Sequence, residues 1–372
     1  MSRVVGVGAI GAGVIFEQHA RALAQLADRA RLVAVADVDE QRLQAAAEHG
    51  VAHLDRHHAD LLGRPDVELV AVCTPPHLHE RIVLDALAAG KHVVCEKPLA
   101  PTLAAADRIV DAARAFPGRL SVVHQFRWLP EVRRTIWLRD SDRLGRLLFG
   151  RFHRYARFHR PGKPTRAAWW GSWDVAGGGV VMTQLIHELD LMCHIFGRPI
   201  EVSAMVDTLK EEIESEDACA ATVRFENGAM CCCYGTMSAH RSTAGFDVIG
   251  TRASAHGPWA LESLDRELRA EARQAAVDAH PDEDPAGSAH APYLAAVLDA
   301  LEAGRPLPVG PQEARDALEL CVAVYASALS GAPVALPIAR TDPCYGGVTR
   351  RAYEARDGGG RGRERALEPV AG

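Results

Sequence analysis

The first third of the chain alternates short apolar runs with amphipathic segments, and this alternation restricts the possible folds more than any other feature. Five apolar runs are typical of buried strands, and helical patterns separate most of them. They occupy residues 4–10, 32–36, 69–73, 93–95 and 120–123. Because strands that alternate with helices pair in parallel, the sequence predicts an α/β fold with a doubly wound parallel sheet over residues 1–125.

A glycine turn follows the first predicted strand. Gly11 and Gly13 form a Gly-x-Gly pattern, and Val14, Ile15 and Phe16 lead into an amphipathic helix. The first glycine permits a tight turn, the second lets a pyrophosphate approach the backbone, and the helix N-terminus stabilises the phosphate charge. Phe16 replaces the usual third glycine. The strand, turn and helix together predict dinucleotide binding here.

Asp37 ends the second predicted strand, 24 residues after Gly13. A carboxylate at this spacing accepts hydrogen bonds from the adenosine ribose hydroxyls and repels a 2′-phosphate, so the sequence predicts NAD rather than NADP. The alternative is that Asp37 caps the helix that begins near Glu40.

A lysine lies at the carboxyl end of the fourth predicted strand. Lys97 stands between Glu96 and Pro98, directly after the apolar run 93–95. Open α/β sheets bind their ligands at the carboxyl ends of the strands. A desolvated lysine near other cations is a usable proton acceptor near neutral pH, so Lys97 is a candidate catalytic base. The alternative is a lysine on the surface after a strand.

Composition limits the class of protein. The 372 residues are 48% hydrophobic and carry a net charge of -6, which fits a globular protein of two domains and disfavours nucleic-acid binding. No long apolar run or signal peptide is present, so we expect a cytoplasmic protein without a membrane partner. The nine cysteines form no CxxC pair and the 17 histidines are scattered, so we expect neither disulfides nor a metal.

The second half shows period-two alternation, which is typical of strands in a largely antiparallel sheet. The pair Asn227-Gly228 predicts a hairpin turn. The expected strands occupy residues 147–158, 202–206, 218–225, 230–237 and 245–249.

Helices are predicted at residues 181–196, 291–303 and 312–329. We expect them to cover one face of the antiparallel sheet and to leave the other open for a partner subunit. This gives an α+β domain over residues 126–345 for substrate binding and oligomerisation, followed by a disordered tail over residues 346–372. A charged, proline-bearing insertion occupies residues 262–288, and its role stays open.

Residues 169–190 contain the most informative polar side chains of this half. Three consecutive glycines allow close backbone approach, and Thr183, beside Gln184, lies four residues before His187 on one face of a predicted helix. From the residues alone, a histidine in an apolar helix is more often a packed core residue. Trp170 could stack on a sugar ring or fill a core.

Residues 119–166 carry 13 Lys or Arg against 3 Asp or Glu. This asymmetry could indicate a phosphate or carboxylate on the substrate. A solvated strand edge with ion pairs to acidic helices explains it as well, and we prefer that interpretation.

The order and spacing of these motifs resemble one known family. The set comprises Gly11-x-Gly13 with His19, Asp37, Thr74-Pro75 with His79, Glu96-Lys97-Pro98, and Arg127-x-x-Pro130. In this order it resembles the glucose-fructose oxidoreductase, inositol dehydrogenase and rhizopine-catabolism (Gfo/Idh/MocA) family. The resemblance spans roughly residues 3–338.

The resemblance implies roles for individual residues. The lysine of the Glu-Lys-Pro motif is catalytic in that family, which implies this role for Lys97, and the family's histidine beside the reacting hydroxyl matches His187. Family members commonly carry Asp or Asn where this chain has Thr183. A hydroxyl can orient an imidazole, but it cannot stabilise imidazolium as a carboxylate would, so the division of roles between Lys97 and His187 stays open.

The resemblance also implies the ligands. Candidate cofactor-binding residues are Gly11, Gly13, Val14, Ile15, Phe16, Asp37, Thr74, Pro75, His79, Glu96, Lys97 and Gln125. Candidate substrate-binding residues are Lys97, Arg127, Trp170, Thr183, Gln184 and His187.

The resulting expectation is an NAD-dependent dehydrogenase that oxidises a secondary hydroxyl of a sugar, a sugar derivative or a cyclitol. A homodimer or homotetramer through the open sheet face is expected as well. The alternatives are an NAD-dependent redox glycosidase and a catalytically silent NAD-binding regulator. Retention of Lys97 and His187 weighs against the regulator, and Thr183 keeps it open.

Overall fold

The chain forms two compact units. The computed structural model describes residues 3–158, 168–257, 260–279 and 288–355. The first unit is built from the chain up to Ala100 together with Ala104–Asp140 and Glu271–Asp316. The second is built from Pro101–Leu103, Ser141–Ala270 and the chain from Ala317 onward.

Strands and helices are numbered in chain order. The strands are β1 Val5–Ile10, β2 Ala30–Ala36, β3 His53–Asp55, β4 Leu69–Val72, β5 His92–Cys95, β6 Leu120–Val122, β7 Leu147–Arg157, β8 Pro199–Asp207, β9 Ala218–Phe225, β10 Met230–Thr236, β11 Ser238–Gly250, β12 Ser254–His256, β13 Ala260–Glu262 and β14 Val334–Ala335. The helices are α1 Phe16–Gln25, α2 Glu40–Ala47, α3 His58–Leu62, α4 His79–Ala88, α5 Leu103–Ala113, α6 Pro130–Asp140, α7 Trp173–Ala176, α8 Ile186–Phe196, α9 Arg266–Ala279, α10 His290–Glu302, α11 Pro311–Ser330 and α12 Arg350–Ala355.

The first unit contains the predicted parallel sheet. Its order is β3-β2-β1-β4-β5-β6, and each neighbouring pair is parallel. The strand order reverses at β1, which is buried along its whole length. Gly6 and Gly8 allow this packing, since a Cβ on Gly6 would lie 1.8 Å from the carbonyl oxygen of Asp66. The α/β doubly wound prediction is confirmed, and the switch beside β1 is where such sheets bind ligands.

The second unit contains the other sheet. Its order is β13-β12-β11-β7-β10-β9-β8-β14, and its pairs are antiparallel except for β7 with β10. The predicted hairpin at Asn227-Gly228 joins β9 to β10, and Gly228 takes a positive φ of 84°. Side chains of β9 alternate between buried and exposed, so this sheet has one packed face. The largely antiparallel prediction is confirmed.

The placement of α10 differs from the expectation that it covers the antiparallel sheet. It belongs to the first unit, where Leu294 and Val297 share a core with Val5 and Val7 of β1. The Tyr293 hydroxyl lies 2.7 Å from Ser121 Oγ on β6, the edge strand of the parallel sheet. Apolar periodicity predicts the helix correctly, but it does not tell which sheet the helix covers.

Two charged stretches contain more regular structure than their composition indicates. Helix α12 lies at the start of the stretch expected to be disordered, and residues 356–372 lie outside the described part of the chain. Helix α9 occupies much of the 262–288 insertion, of which residues 280–287 are also outside the described part. In the part of the chain that the structure describes, no helix combines the length and the apolar character that crossing a membrane requires.

Candidate active site

The glycine turn after β1 has the geometry expected of a phosphate-binding turn. Gly11 takes a φ of +95°, and a Cβ on it would lie 2.8 Å from the backbone of Cys73, so a side chain cannot be accommodated. A Cβ on Gly13 would meet no atom within 4 Å. Val14 is 84% exposed, whereas Phe16 is buried and anchors α1. The turn therefore has a fixed base and an open outer side that suits a pyrophosphate.

Asp37 fastens this turn to the end of β2. Its Oδ2 accepts a hydrogen bond of 2.7 Å from the N–H of Ala12, and its Oδ1 accepts one of 2.9 Å from Asp39. The cap of α2 is Asp39, whose carboxylate accepts from Gln41 N, so the capping alternative for Asp37 is wrong. A carboxylate at the end of β2, beside the turn, is placed to bind ribose hydroxyls.

His79 connects the two loops that follow β4 and β5. It is fully buried, with Nδ1 2.8 Å from the carbonyl oxygen of Pro98 and Nε2 2.9 Å from that of Thr74. Burial lowers the pKa of His79, against the opposing effect of the two carbonyl groups. The imidazole thus holds the Thr74-Pro75 loop beside the segment of Lys97, with both ring nitrogens facing the backbone.

Glu96, which directly precedes Lys97 in the chain, is the centre of a buried cluster. One carboxylate oxygen, Oε2, accepts a 3.3 Å hydrogen bond from the backbone N–H of Lys97. The other, Oε1, lies 2.8 Å from His19 Nε2 and 3.8 Å from His290 Nε2. His290 Nδ1 lies 3.1 Å from the carbonyl oxygen of Ser288. The cluster ties α1, the end of β5 and α10 to the residue that precedes the candidate base.

Burial would raise the pKa of Glu96, but the hydrogen bond from His19 and the nearby His290 imidazole hold it well below its ordinary value. Glu96 is therefore ionised at neutral pH.

His19, Glu96 and His290 also form a set that could hold a metal ion, because their donor atoms all lie within 4.8 Å of one another. The scattered histidines of the sequence gave no sign of it. Two ligands on one tetrahedral zinc stand roughly 3.3 Å apart, given bonds of about 2 Å. The 2.8 Å between His19 and Glu96 is a hydrogen-bond distance. The arrangement is that of a hydrogen-bonded network around a carboxylate.

The remaining candidates of the first unit follow the carboxyl end of β6. Gln125 is buried at the start of a short 3₁₀ turn, and the Arg127 guanidinium pairs with Glu313. The charge of Arg127 is thus compensated within this unit. Because the ends of β1, β4, β5 and β6 share one edge of the sheet, the structure places the glycine turn, Thr74, Lys97 and Gln125 along that edge.

In the second unit, the segment of Thr183 and His187 is helical, as predicted, but it begins with a π-helical turn over Val181–Leu185. Thr183 donates its hydroxyl hydrogen to the carbonyl oxygen of Gly179 at 2.7 Å, and Gln184 Nε2 donates to the carbonyl oxygen of Thr183. Thr183 and His187 are both buried. π-Turns within helices occur frequently at functional sites.

The tryptophans separate into two kinds. Trp173 is buried against Tyr325 and Tyr353 and donates its indole N–H to the carbonyl oxygen of Glu214, as a core residue does. Trp170 is partly exposed, with its ring 5.8 Å from that of Trp169. Trp170 therefore keeps surface that a sugar could contact.

Arginines of the basic segment form ion pairs. Arg154 Nη2 lies 2.6 Å from Glu188, and Arg151 pairs with Asp247. Both pairs are within the second unit and support the ion-pair part of the interpretation, but β7 lies between β11 and β10, so the expectation of a strand edge is wrong. Arg160, Lys163 and Arg166 lie outside the described residues.

The sequence matches two family descriptions. Residues 5–124 match the Gfo/Idh/MocA oxidoreductase family with an NAD-binding Rossmann fold, and residues 132–256 match the Gfo/Idh/MocA C-terminal domain. The chain belongs to the Gfo/Idh/MocA oxidoreductase family. The resemblance found in the motifs is confirmed, and so is the prediction of NAD as the cofactor.

Two relatives match more than half of this Gfo/Idh/MocA oxidoreductase. An oxidoreductase of Bacillus subtilis, YrbE, is 26% identical over 68% of this chain and 74% of its own length. An inositol 2-dehydrogenase of Burkholderia multivorans is 36% identical over 54% of this chain and 56% of its own length.

A solved structure extends the comparison to the whole fold. The WlbA dehydrogenase of Bordetella pertussis, in complex with NADH and UDP-GlcNAcA, superposes with a TM-score of 0.78 at 26% identity. The superposition covers 91% of this chain and 100% of that one.

Sequence reasoning missed one buried carboxylate of this oxidoreductase. Glu216 lies behind the three glycines and accepts hydrogen bonds from the N–H groups of Gly179 and Val181 and from the hydroxyl of Tyr325. The adjacent Glu216-Asp217 pair before an apolar strand is the only local signal, and by itself it resembles an ordinary loop. Its contact with residues 37 positions earlier is not readable from the sequence.

Proposed function

We propose that this oxidoreductase is an NAD-dependent dehydrogenase that oxidises a secondary hydroxyl of a sugar, a sugar derivative or a cyclitol. The observation that carries the proposal is Lys97 at the carboxyl end of β5, fixed by Glu96, on the sheet edge where the open turn at Gly13 lies. The names of relatives support the substrate class, since they include an inositol 2-dehydrogenase and a dehydrogenase crystallised with a nucleotide sugar acid.

The turn around Gly11 and Gly13 fits the pyrophosphate of NAD, and Asp37 fits its adenosine ribose. Bound NAD supplies a hydride acceptor for the carbon that bears the hydroxyl. Lys97 takes the hydroxyl proton, so the alcohol loses one hydride and one proton and becomes a carbonyl. His187 has an assisting role in the same reaction, as the resemblance to the family implies.

Thr183 limits what His187 can do. Its hydroxyl hydrogen is already donated to Gly179, so its oxygen can only accept a hydrogen bond from another group. A neutral hydroxyl does not stabilise imidazolium as a carboxylate would. We therefore assign proton removal to Lys97 and orientation of the substrate to His187.

The quaternary structure is part of the proposal. The open face of the antiparallel sheet exposes large apolar side chains, namely Phe149, Tyr155, Met205 and Met230. We infer that a second copy covers this face in a cytoplasmic homodimer or homotetramer, because contiguous exposed apolar side chains are typical of an interface.

The test is NADH formation, followed by absorbance at 340 nm, with a panel of inositols, hexoses, amino sugars and nucleotide sugars. NAD and NADP are compared, and we expect NAD to be preferred. Lys97→Ala should reduce kcat by about 10³-fold, in the range of a lost general base. Lys97→Arg is the matched control, because it keeps the positive charge but does not accept a proton near neutral pH.

Equal loss in both Lys97 variants, with NAD binding retained, supports the assignment. NADH formation that survives in Lys97→Ala would contradict it. Tight NAD binding without net NADH from any panel member would favour the redox glycosidase or the regulator.

A further inference from the structure

Glu216 is a fully buried carboxylate at the start of the segment that carries Thr183 and His187. The N–H of Gly179 donates to both of its oxygens at 3.0 Å, and the N–H of Val181 donates to Oε1 at 2.9 Å. A negative charge at this end of a helical segment is favourable, because the free N–H groups there point toward it.

The glycines before this segment are needed for the contact. A Cβ on Gly179 would lie 1.8 Å from the carbonyl oxygen of Glu216, and one on Gly178 would lie 2.0 Å from Tyr325 Oη. Gly178 also has a φ of +152°. Any side chain at these positions would push the backbone away from Glu216. The glycines therefore give the carboxylate access to the backbone N–H groups.

The groups around Glu216 are neutral donors. The Tyr325 hydroxyl donates to Oε1 at 2.8 Å. Titratable groups that face it are Tyr325 and Cys321 on α11 and Cys219 on β9, and burial raises the pKa of each, so all three are neutral near pH 7. Burial likewise raises the pKa of Glu216 to about 7, although its hydrogen bonds oppose the change.

The contact is transmitted to Thr183 through one carbonyl group. Gly179 donates its N–H to Glu216, and its carbonyl oxygen accepts from both the backbone N–H and the hydroxyl of Thr183, at 3.0 and 2.7 Å. Protonation at Oε2 would leave all three donors on Oε1, but it would remove the charge that strengthens their hydrogen bonds. A movement of Gly179 would therefore displace Thr183 and the turn that precedes His187.

We propose that Glu216 is a positioning residue for catalysis: its ionised carboxylate fixes the start of the helical segment that presents Thr183 and His187. This inference rests on the proposed dehydrogenase function. Glu216 acts through the backbone of residues 179–181, so a change in the charge of its carboxylate reaches the start of the segment through those N–H groups.

The first experiment is the pH profile of kcat for the wild type, Glu216→Gln and Tyr325→Phe. In Glu216→Gln we expect kcat about tenfold lower or more, with KM for NAD unchanged, because the misplaced group is not in the NAD-binding unit. In the wild type we expect kcat to fall on the acidic side of the profile with a step near pH 7. This step of the acid limb should be absent in Glu216→Gln.

Tyr325→Phe is the discriminating variant, because it removes one donor to the carboxylate and keeps both backbone N–H groups. Loss of that donor should move the acid limb upward by about 0.5 to 1 pH unit. A purely structural role for Glu216 would not move it. An acid limb that stays in place in both variants would overturn the proposal.

A second readout does not depend on turnover. The amide signals of Gly179 and Val181 in ¹H–¹⁵N NMR spectra should shift with a midpoint near pH 7 in the wild type, higher in Tyr325→Phe, and show no such step in Glu216→Gln. Amide shifts without this step would overturn the positioning role. The predicted steps in a protein that oxidises no panel substrate would instead overturn the proposed dehydrogenase.

Discussion

Two buried glutamates of this protein, one in each unit, have opposite protonation behaviour. Glu96 precedes Lys97 and is 5% exposed; Glu216 lies behind the Thr183 segment and is fully buried. Burial raises the pKa of both carboxyls. In Glu96 the imidazoles outweigh burial and the pKa falls, whereas in Glu216 burial prevails and the pKa rises to about 7.

The difference comes from the kind of partner. The imidazoles of His19 and His290 interact with Glu96 and lower its pKa, while the backbone N–H groups and Tyr325 around Glu216 stay neutral. Hydrogen bonds alone satisfy the lone pairs of a buried carboxylate, but a compensating charge is needed to offset its lost hydration. Glu96 is thus a fixed charge beside Lys97, and Glu216 is a group that titrates.

The largest effect is expected from Glu96→Gln. The amide removes the carboxylate charge from its contacts with His19 and His290, and breaking a buried charged contact should lower the free energy of unfolding by about 4 kcal/mol. Urea denaturation at pH 7 measures it. The matched control is Glu80→Gln, whose carboxylate pairs with the 59% exposed Arg108 and should cost less than about 1 kcal/mol. Similar losses in the two variants would remove the distinction on which the comparison rests.

The next effect concerns how stability changes with pH. The folded protein keeps the proton of Glu216 from pH 4.5 to about 7, a range in which the unfolded chain has lost it. Because the folded state then binds more protons, stability decreases as the pH rises through this window.

From pH 5 to pH 8 the free energy of unfolding should fall by up to about 3 kcal/mol more in the wild type than in Glu216→Gln. Glu96 has the opposite sign: its contribution to stability is present above its ordinary pKa of 4.5 and is lost only in stronger acid. Urea denaturation from pH 5 to pH 8 measures the Glu216 effect, and parallel curves for the wild type and Glu216→Gln would contradict the pKa assigned to Glu216.

Local sequence patterns predict the five strands of the first unit that carry the candidate residues, although they miss the short edge strand β3. A strand, its glycine turn and the residue at each strand end are contiguous in the chain, so the fold of a parallel sheet places Gly13, Asp37, Thr74 and Lys97 at one edge without further information. The apolar periodicity that predicts each strand also fixes where that strand ends.

The contacts that decide protonation were not predictable in the same way. His290 reaches Glu96 only because α10 packs with the parallel sheet. Glu216 reaches Gly179 only because the residues just before β9 pack against the three consecutive glycines 177–179. Each joins residues that are far apart in the chain and lack a shared pattern. The π-turn before His187 is a similar case, since its apolar residues fit an α-helix equally well.

The smallest effect distinguishes the two imidazoles of the Glu96 cluster. His19 Nε2 is within hydrogen-bond distance of Glu96 Oε1 at 2.8 Å, whereas His290 Nε2 is farther away, at 3.8 Å. His290→Gln should therefore cost about 1 kcal/mol of unfolding free energy, less than His19→Gln, which removes a hydrogen bond to an ionised group. Urea denaturation of both variants at pH 7 and pH 5 gives the order. If His290→Gln costs more than His19→Gln, the second imidazole is the main charge partner of Glu96, and α10 rather than α1 determines its ionisation.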